Sequence, residues 1–180
     1  MKKLLMILPL ALILCFMVGC QDKEAIAELE AMKAQAEVEE QNKALIRNYL
    51  KELDNKNFEI FNEAYAPDAK IYFPSNSSEP MSLEQSVPMV KSFCAAFPDI
   101  SHSIEELIAV GDKVILRAID RGTHQGEFSG IPATEKKIEF GVLVIFRVED
   151  GKIVEAWEEF EMLGLMQQLG MELKPKEAEK

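Results

Sequence analysis

Ser103-Ile104-Glu105-Glu106-Leu107-Ile108-Ala109-Val110, then Gly111-Asp112, then Lys113-Val114-Ile115-Leu116-Arg117-Ala118-Ile119-Asp120-Arg121-Gly122-Thr123-His124, decides the fold of this chain. Apolar, often β-branched side chains recur at alternate positions on both sides of a two-residue turn, the pattern of a β-hairpin. The pattern repeats over Lys137 to Val148 and Lys152 to Phe160 around Asp150-Gly151. Four strands, three of them long, imply a curved antiparallel sheet. Upstream of Pro98 the period is helical instead. Leu45, Ile46, Tyr49, Leu50 and Leu53 share one face, a short helix covers Phe58 to Tyr65, and Leu83, Val87, Val90, Cys94 and Phe97 make a third stripe. Ser82 to Gln85 has capping-box spacing, with Pro88 kinking that third helix or marking its first turn. Lys70 to Phe73 reads as a first strand. Helices followed by strands predict an α+β domain with the helices packed on one face of the sheet.

The composition is ordinary for a globular protein: 180 residues, 48% hydrophobic and 28% charged. Thirty-one acidic against twenty basic residues give a formal charge of −11, which excludes nucleic acid as a partner held by charge. The three cysteines, Cys15, Cys20 and Cys94, match no zinc or redox spacing, and two histidines without an HExxH motif argue against a transition metal. No GxSxG elbow or glycine-rich phosphate loop is present. Any catalysis is therefore expected to need no cofactor.

Lys2 and Lys3 precede an apolar run from Leu4 to Val18, fifteen residues where a spanning helix needs about 20. It ends at Met17-Val18-Gly19-Cys20, which resembles a bacterial lipobox. Residues 1–19 are expected to be a lipoprotein signal peptide, with Cys20 lipidated and the protein anchored outside the cytoplasm, on the outer membrane or the outer face of the plasma membrane. Loss of Lys2 and Lys3 would shift the charge from −11 to −13. Residues 20–40, rich in Ala, Glu, Lys and Gln, read as a helical tether with a narrow apolar stripe. Residues 41–172 form the domain, and 173–180 a polar tail.

On the last strand, alternation puts Val154, Ala156, Glu158 and Phe160 on one face and Ile153, Glu155, Trp157 and Glu159 on the other. A carboxylate among apolar neighbours is costly to ionise, so Glu158 is a candidate general acid, unless it lies solvated at the sheet margin. Asp120 and His124 share a face with Val114 and Leu116, either at a cavity mouth or on the surface near loops. His102, flanked by serines, reads as solvated. Arg117 and Arg121 lie on the opposite face, where salt bridges are expected. Cys94 reads as a core thiol.

Arg121-Gly122-Thr123-His124-Gln125-Gly126-Glu127-Phe128-Ser129-Gly130-Ile131-Pro132-Ala133-Thr134, Phe146-Arg147 before Asp150-Gly151-Lys152-Ile153-Val154-Glu155, Trp157, and Leu165-Met166-Gln167-Gln168-Leu169-Gly170 resemble the SnoaL-like polyketide cyclase (ester cyclase) family. The resemblance spans Asn42 to Gly170. It implies a nuclear transport factor 2-like cone, a curved sheet wrapped around N-terminal helices with an apolar cavity. It also implies cofactor-independent ring closure by aldol condensation, with an acidic residue at the position of Glu158 and a family histidine at His124. Tyr49, Asp120, Tyr72, Val144 and Phe160 are expected to line the ligand site. The sequence departs from the family in having Glu158 for an aspartate, Val144 for a second cavity histidine, Tyr72 and Phe73 for polar first-strand residues, and Ala133-Thr134-Glu135 for a Pro-Thr-Gly turn.

Two functions follow: a module that binds a small hydrophobic molecule, favoured by the departures and by the extracytoplasmic address, and a cyclase-like lyase or isomerase using Glu158. The strand Phe140 to Phe146 is apolar on both sides. It would leave Leu143, Ile145 and Trp157 on an outer patch, so a homodimer through the sheet is expected.

Overall fold

The computed structural model describes residues 7–172 and 174, with side chains described from Lys23 onward. Residues 1–6 of the expected signal, the Cys20 side chain and the polar tail other than Lys174 lie outside what is described. The chain divides into two units, Met1–Val38 and Glu39–Lys180. One helix, α1 (Ile7–Asp54), runs through both. Side chains 23–38 are exposed throughout, as a narrow stripe of Ile26, Leu29 and Met32 requires. No helix among the described residues is long and apolar enough to cross a membrane.

The second unit continues with α2 (Ile60–Ala64), β1 (Tyr65–Tyr72), α3 (Leu83–Ala96), β2 (Ser101–Val110), β3 (Lys113–Thr123), β4 (Lys137–Glu149), β5 (Lys152–Phe160) and α4 (Met162–Leu169). The strands form one curved sheet in the order β1-β5-β4-β3-β2. β2 to β5 are antiparallel neighbours, as expected from their hairpin turns. Asp150 and Gly151 both have positive φ, at 49° and 72°, which the two-residue turn between β4 and β5 requires and which glycine adopts without strain. The first strand corrects the all-antiparallel expectation: β1 joins the edge parallel to β5, so the sheet is mixed. Between β1 and β5 the chain passes through α3 and three other strands, so no hairpin imposes a direction on this pair.

The core lies on the concave face. Ile46, Tyr49, Leu50 and Leu53 of α1, with Cys94 and Phe97 at the end of α3, cover Val114, Leu116, Ala118, Val142, Val144 and Phe146 of the sheet. Each buried side chain of this kind contributes about 1.5–3 kcal/mol relative to exposure. Gln85 accepts from the Ser82 amide at 2.9 Å, so α3 begins where the capping spacing placed it, and Pro88 sits inside the helix rather than in its first turn. Glu39 and Asn42 of α1 hold the β2–β3 turn through the Gly111 amide and carbonyl.

Two features were not anticipated. Helix α4 has only eight residues, and Glu161 caps it by accepting from the Gly164 amide at 2.8 Å. Gln168 then pairs with both backbone groups of Glu139 on β4, and Leu165 and Leu169 are buried. The second feature is a bulge in β5. Val148 pairs with Ile153 but Arg147 pairs with Glu155, leaving Val154 as an extra residue. The bulge turns Ile153 onto the buried face with Ala156, where plain alternation had put it outside.

The outer face carries the expected ion pairs, Arg117 with Glu106 at 3.2 Å and Arg121 with Glu139 at 2.6 Å. Between the Arg117 pair and the pair of Arg147 with Glu155 at 2.5 Å runs an unbroken apolar row. Ile108 pairs with Ile115, Ile115 with Ile145, Ile145 with Trp157, and Trp157 with Tyr72, one residue from every strand.

Candidate active site

The concave sheet, α1 and α3 enclose a cavity of about 190 Å³. Its wall is aromatic and aliphatic, interrupted by Tyr49, Tyr65, Ser86, His102, Asp120 and Glu158 and by the Cys94 thiol, which burial pushes up in pKa. The polar groups form two separate poles.

Glu158 makes the first pole. It projects from β5 directly opposite Val144 on β4, so the position where the resemblance implied a histidine places methyl groups beside the carboxyl. It is half-buried and lines the cavity, and no hydrogen bond reaches it among the described residues. Desolvation raises its pKa from 4.5 to about 7. Tyr49 and Tyr65 stand nearby with ring centroids 5.4 Å apart, and both phenols are pushed up, first by burial and also by the Glu158 carboxylate. The Tyr65 hydroxyl has no partner in hydrogen-bond geometry. A carboxyl poised near neutrality beside two protonated phenols can give or take a proton and donate hydrogen bonds to a carbonyl oxygen.

The second pole joins three elements. Asp54, the last residue of α1, accepts from the backbone amide of His102 at 3.1 Å and lies 2.6 Å from its Nδ1. The other ring nitrogen, Nε2, lies 3.5 Å from Asp120 Oδ2, too far for a good hydrogen bond. Burial pulls the His102 pKa down, but the bond to Asp54 and the charges of Asp120 and Asp54 outweigh it and the net shift is upward. Asp120 is raised to about 6, first by burial, opposed by His102 and reinforced by Asp54. The two carboxylates sit at opposite nitrogens of one ring, so the three side chains do not converge on a metal position.

Of the residues singled out from the sequence, Glu158, Tyr49, Asp120, Val144 and Phe160 line the cavity. His124 and Tyr72 do not. His124 is fully buried, stacked on Phe97 at 5.1 Å with its Nδ1 3.0 Å from Thr134 Oγ1, and it anchors a loop. That loop docks on the end of α3: the amides of Gln125 and Gly126 both donate to the Ala96 carbonyl. Phe128, held by a two-residue turn to Ile131, reaches the cavity beside Phe93. Much of the Arg121 to Thr134 motif is thus scaffold. Tyr72 stacks on Trp157 on the outer face, one position past the inward-facing Ile71.

His102, Asp54 and Tyr65 are the cavity-pole residues that sequence reasoning missed. Counting back from Gly111-Asp112 places His102 opposite Arg121, on the outer face. A bulge that leaves Glu105 unpaired shifts the register by one, and His102 faces Asp120 instead. Asp54 carried no chemical pattern, and Tyr65 was read only as part of a short helix.

No functionally curated protein matches the sequence. Among solved structures, IdmH of Streptomyces antibioticus, described as a candidate polyketide cyclase, is 30% identical with a TM-score of 0.65, covering 73% of this chain and 99% of its own. AclR of Streptomyces galilaeus, described as a candidate hydroxylase, is 27% identical with a TM-score of 0.68, covering 73% of this chain and 97% of its own. A candidate polyketide cyclase from Bacillus cereus is 29% identical with a TM-score of 0.59, covering 70% and 78%. The family model described as SnoaL-like polyketide cyclase matches residues 43–169, from the last three turns of α1 to the end of α4. This chain therefore belongs to the SnoaL-like polyketide cyclase family, in the nuclear transport factor 2-like superfamily.

Proposed function

We propose that the protein binds a small hydrophobic carbonyl compound in its cavity and catalyses a cofactor-independent, cyclase-like lyase or isomerase reaction with Glu158 as general acid/base. The observation that carries this reading is the Glu158 carboxyl, desolvated in an apolar wall and raised to about 7, beside two phenols able to hold an oxyanion. Family membership supports the reaction class. In such a step Glu158 takes a proton from carbon α to a carbonyl, the enolate oxygen is held by Tyr49 or Tyr65, and the proton returns to the oxygen of the carbonyl that the new carbon–carbon bond attacks. The test is deuterium uptake at the α-carbon of 2-acetylnaphthalene in D2O, read by NMR. Faster uptake with protein than without is expected. Binding without any acceleration would leave a receptor, the other reading, which the apolar wall favours.

We also propose that Cys20 is lipidated and holds the domain at the extracytoplasmic side of a bacterial envelope, on the strength of Met17-Val18-Gly19-Cys20 after the apolar run. A metabolic fatty-acid label should enter the wild type and be lost in Cys20→Ser. Label retained by that variant contradicts the anchor.

The apolar row from Ile108 to Tyr72, with Leu143 46% exposed beside it, supports a homodimer through the outer sheet face. Sedimentation of the domain at tens of micromolar should give the dimer mass, and Leu143→Glu should give the monomer. A wild-type monomer under those conditions overturns the proposal.

A further inference from the structure

We propose that the Asp54–His102–Asp120 pole is a recognition subsite for a hydroxyl group at the far end of an elongated hydrophobic ligand whose carbonyl lies at Glu158. This rests on the ligand-binding reading above and adds the second functional group of the ligand.

Asp120 projects from β3 into the cavity wall with only 4% of its surface accessible, and its Oδ1 has no hydrogen-bond partner. A buried carboxylate oxygen without a donor costs free energy that a ligand donor recovers. Its neighbour is held in place to leave that oxygen free. Asp54 pins His102 through both its backbone amide and Nδ1, and Nε2 stops 3.5 Å from the other Asp120 oxygen. With His102 as the imidazolium that its two flanking carboxylates favour, Nδ1 donates to Asp54 and Nε2 is left to donate, so a hydroxyl entering here accepts from Nε2 and donates to Asp120. A ligand ammonium would have only donors and would set a cation against the His102 ring and the Lys56 amine, whose Nζ reaches the nearby Ile100 carbonyl at 3.2 Å.

The register sets the length of the ligand. Asp120 pairs with Phe140 on β4 and Glu158 with Val144, four residues further along the same strand. At roughly 3.3 Å per residue the poles are about 13 Å apart along the strand direction, and because they flank β4 they are also about 10 Å apart across the sheet, with apolar side chains between them. A compact monofunctional ketone reaches one pole; a fused bicyclic or larger skeleton with oxygen at both ends approaches both.

The test compares 2-acetyl-6-hydroxynaphthalene with 2-acetylnaphthalene and the 6-methoxy analogue by fluorescence titration of the full chain. The wild type should bind the hydroxy compound about 10- to 100-fold more tightly than the other two, the range for a hydrogen bond to a charged group. The preference should shrink as pH falls below about 6, where Asp120 gains a proton. Asp120→Leu should abolish the preference while still binding 2-acetylnaphthalene, which also shows that the variant is folded. Equal wild-type affinity for the three compounds, or a preference that survives Asp120→Leu, overturns the subsite and leaves the cavity reading intact. Binding of none of them overturns both.

Discussion

Glu158→Gln should slow α-carbon exchange by about 10²- to 10⁴-fold, the usual contribution of a general acid/base, while leaving the affinity for 2-acetylnaphthalene within a few fold. Glutamine keeps the shape of the side chain and removes only its proton chemistry. The same substitution should raise stability above neutral pH. In the folded protein Glu158 titrates near 7, in the unfolded chain near 4.5. Below 4.5 both states hold the proton and the group is neutral in its effect. Between 4.5 and 7 the unfolded chain releases its proton first, the folded state binds more protons, and stability falls as pH rises. Above 7 the loss levels off at about 3 kcal/mol, from 1.36 kcal/mol per pKa unit. Thermal unfolding at pH 8 should show the glutamine variant to be the more stable by about 1–3 kcal/mol, with the difference gone at pH 4. A variant equally stable at both pH values, with exchange unimpaired, removes Glu158 from the chemistry.

Gly126→Ala should destabilise the domain by about 1–3 kcal/mol, the cost of forcing a methyl into filled space. A Cβ built there meets the Ala95 carbonyl oxygen at 2.7 Å and Ala96 Cα at 3.0 Å, both backbone atoms at the end of α3 that cannot rotate aside. Relief means pulling the loop off α3, which breaks the Gln125 and Gly126 bonds to Ala96 and loosens Phe128 over the cavity. Thermal unfolding checks it, with Gly141→Ala as control because open space surrounds that position. Equal melting temperatures for the two variants contradict the docking role of the loop.

The two predictions bracket what could be read from the sequence. Alternation placed Glu158, Asp120 and Val144 on the inner face because each lies in an uninterrupted run of strand. It failed for Ile153, which lies beyond a bulge, and the solvated reading of His102 from its flanking serines failed because the bulge at Glu105 turns it inward; one extra residue inverts every later side chain. Neither Glu105 nor Val154 is a residue type that marks a bulge. The motif around His124 was legible as a signature, but a signature does not separate chemistry from scaffold. Only the stacking on Phe97 and the glycine contact at Ala95 make that separation. The direction of β1 and the short α4 depended on long-range packing that local periodicity does not encode.

The most direct test of the account is the carboxyl titration of Glu158 in the folded protein, followed by ¹³C NMR of the side-chain carbonyl with Glu158→Gln used to assign the resonance. The account predicts a midpoint near 7, raised by desolvation in the cavity wall, and a further rise when 2-acetylnaphthalene displaces water from around it. A midpoint near 4.5, unmoved by the ligand, would contradict it.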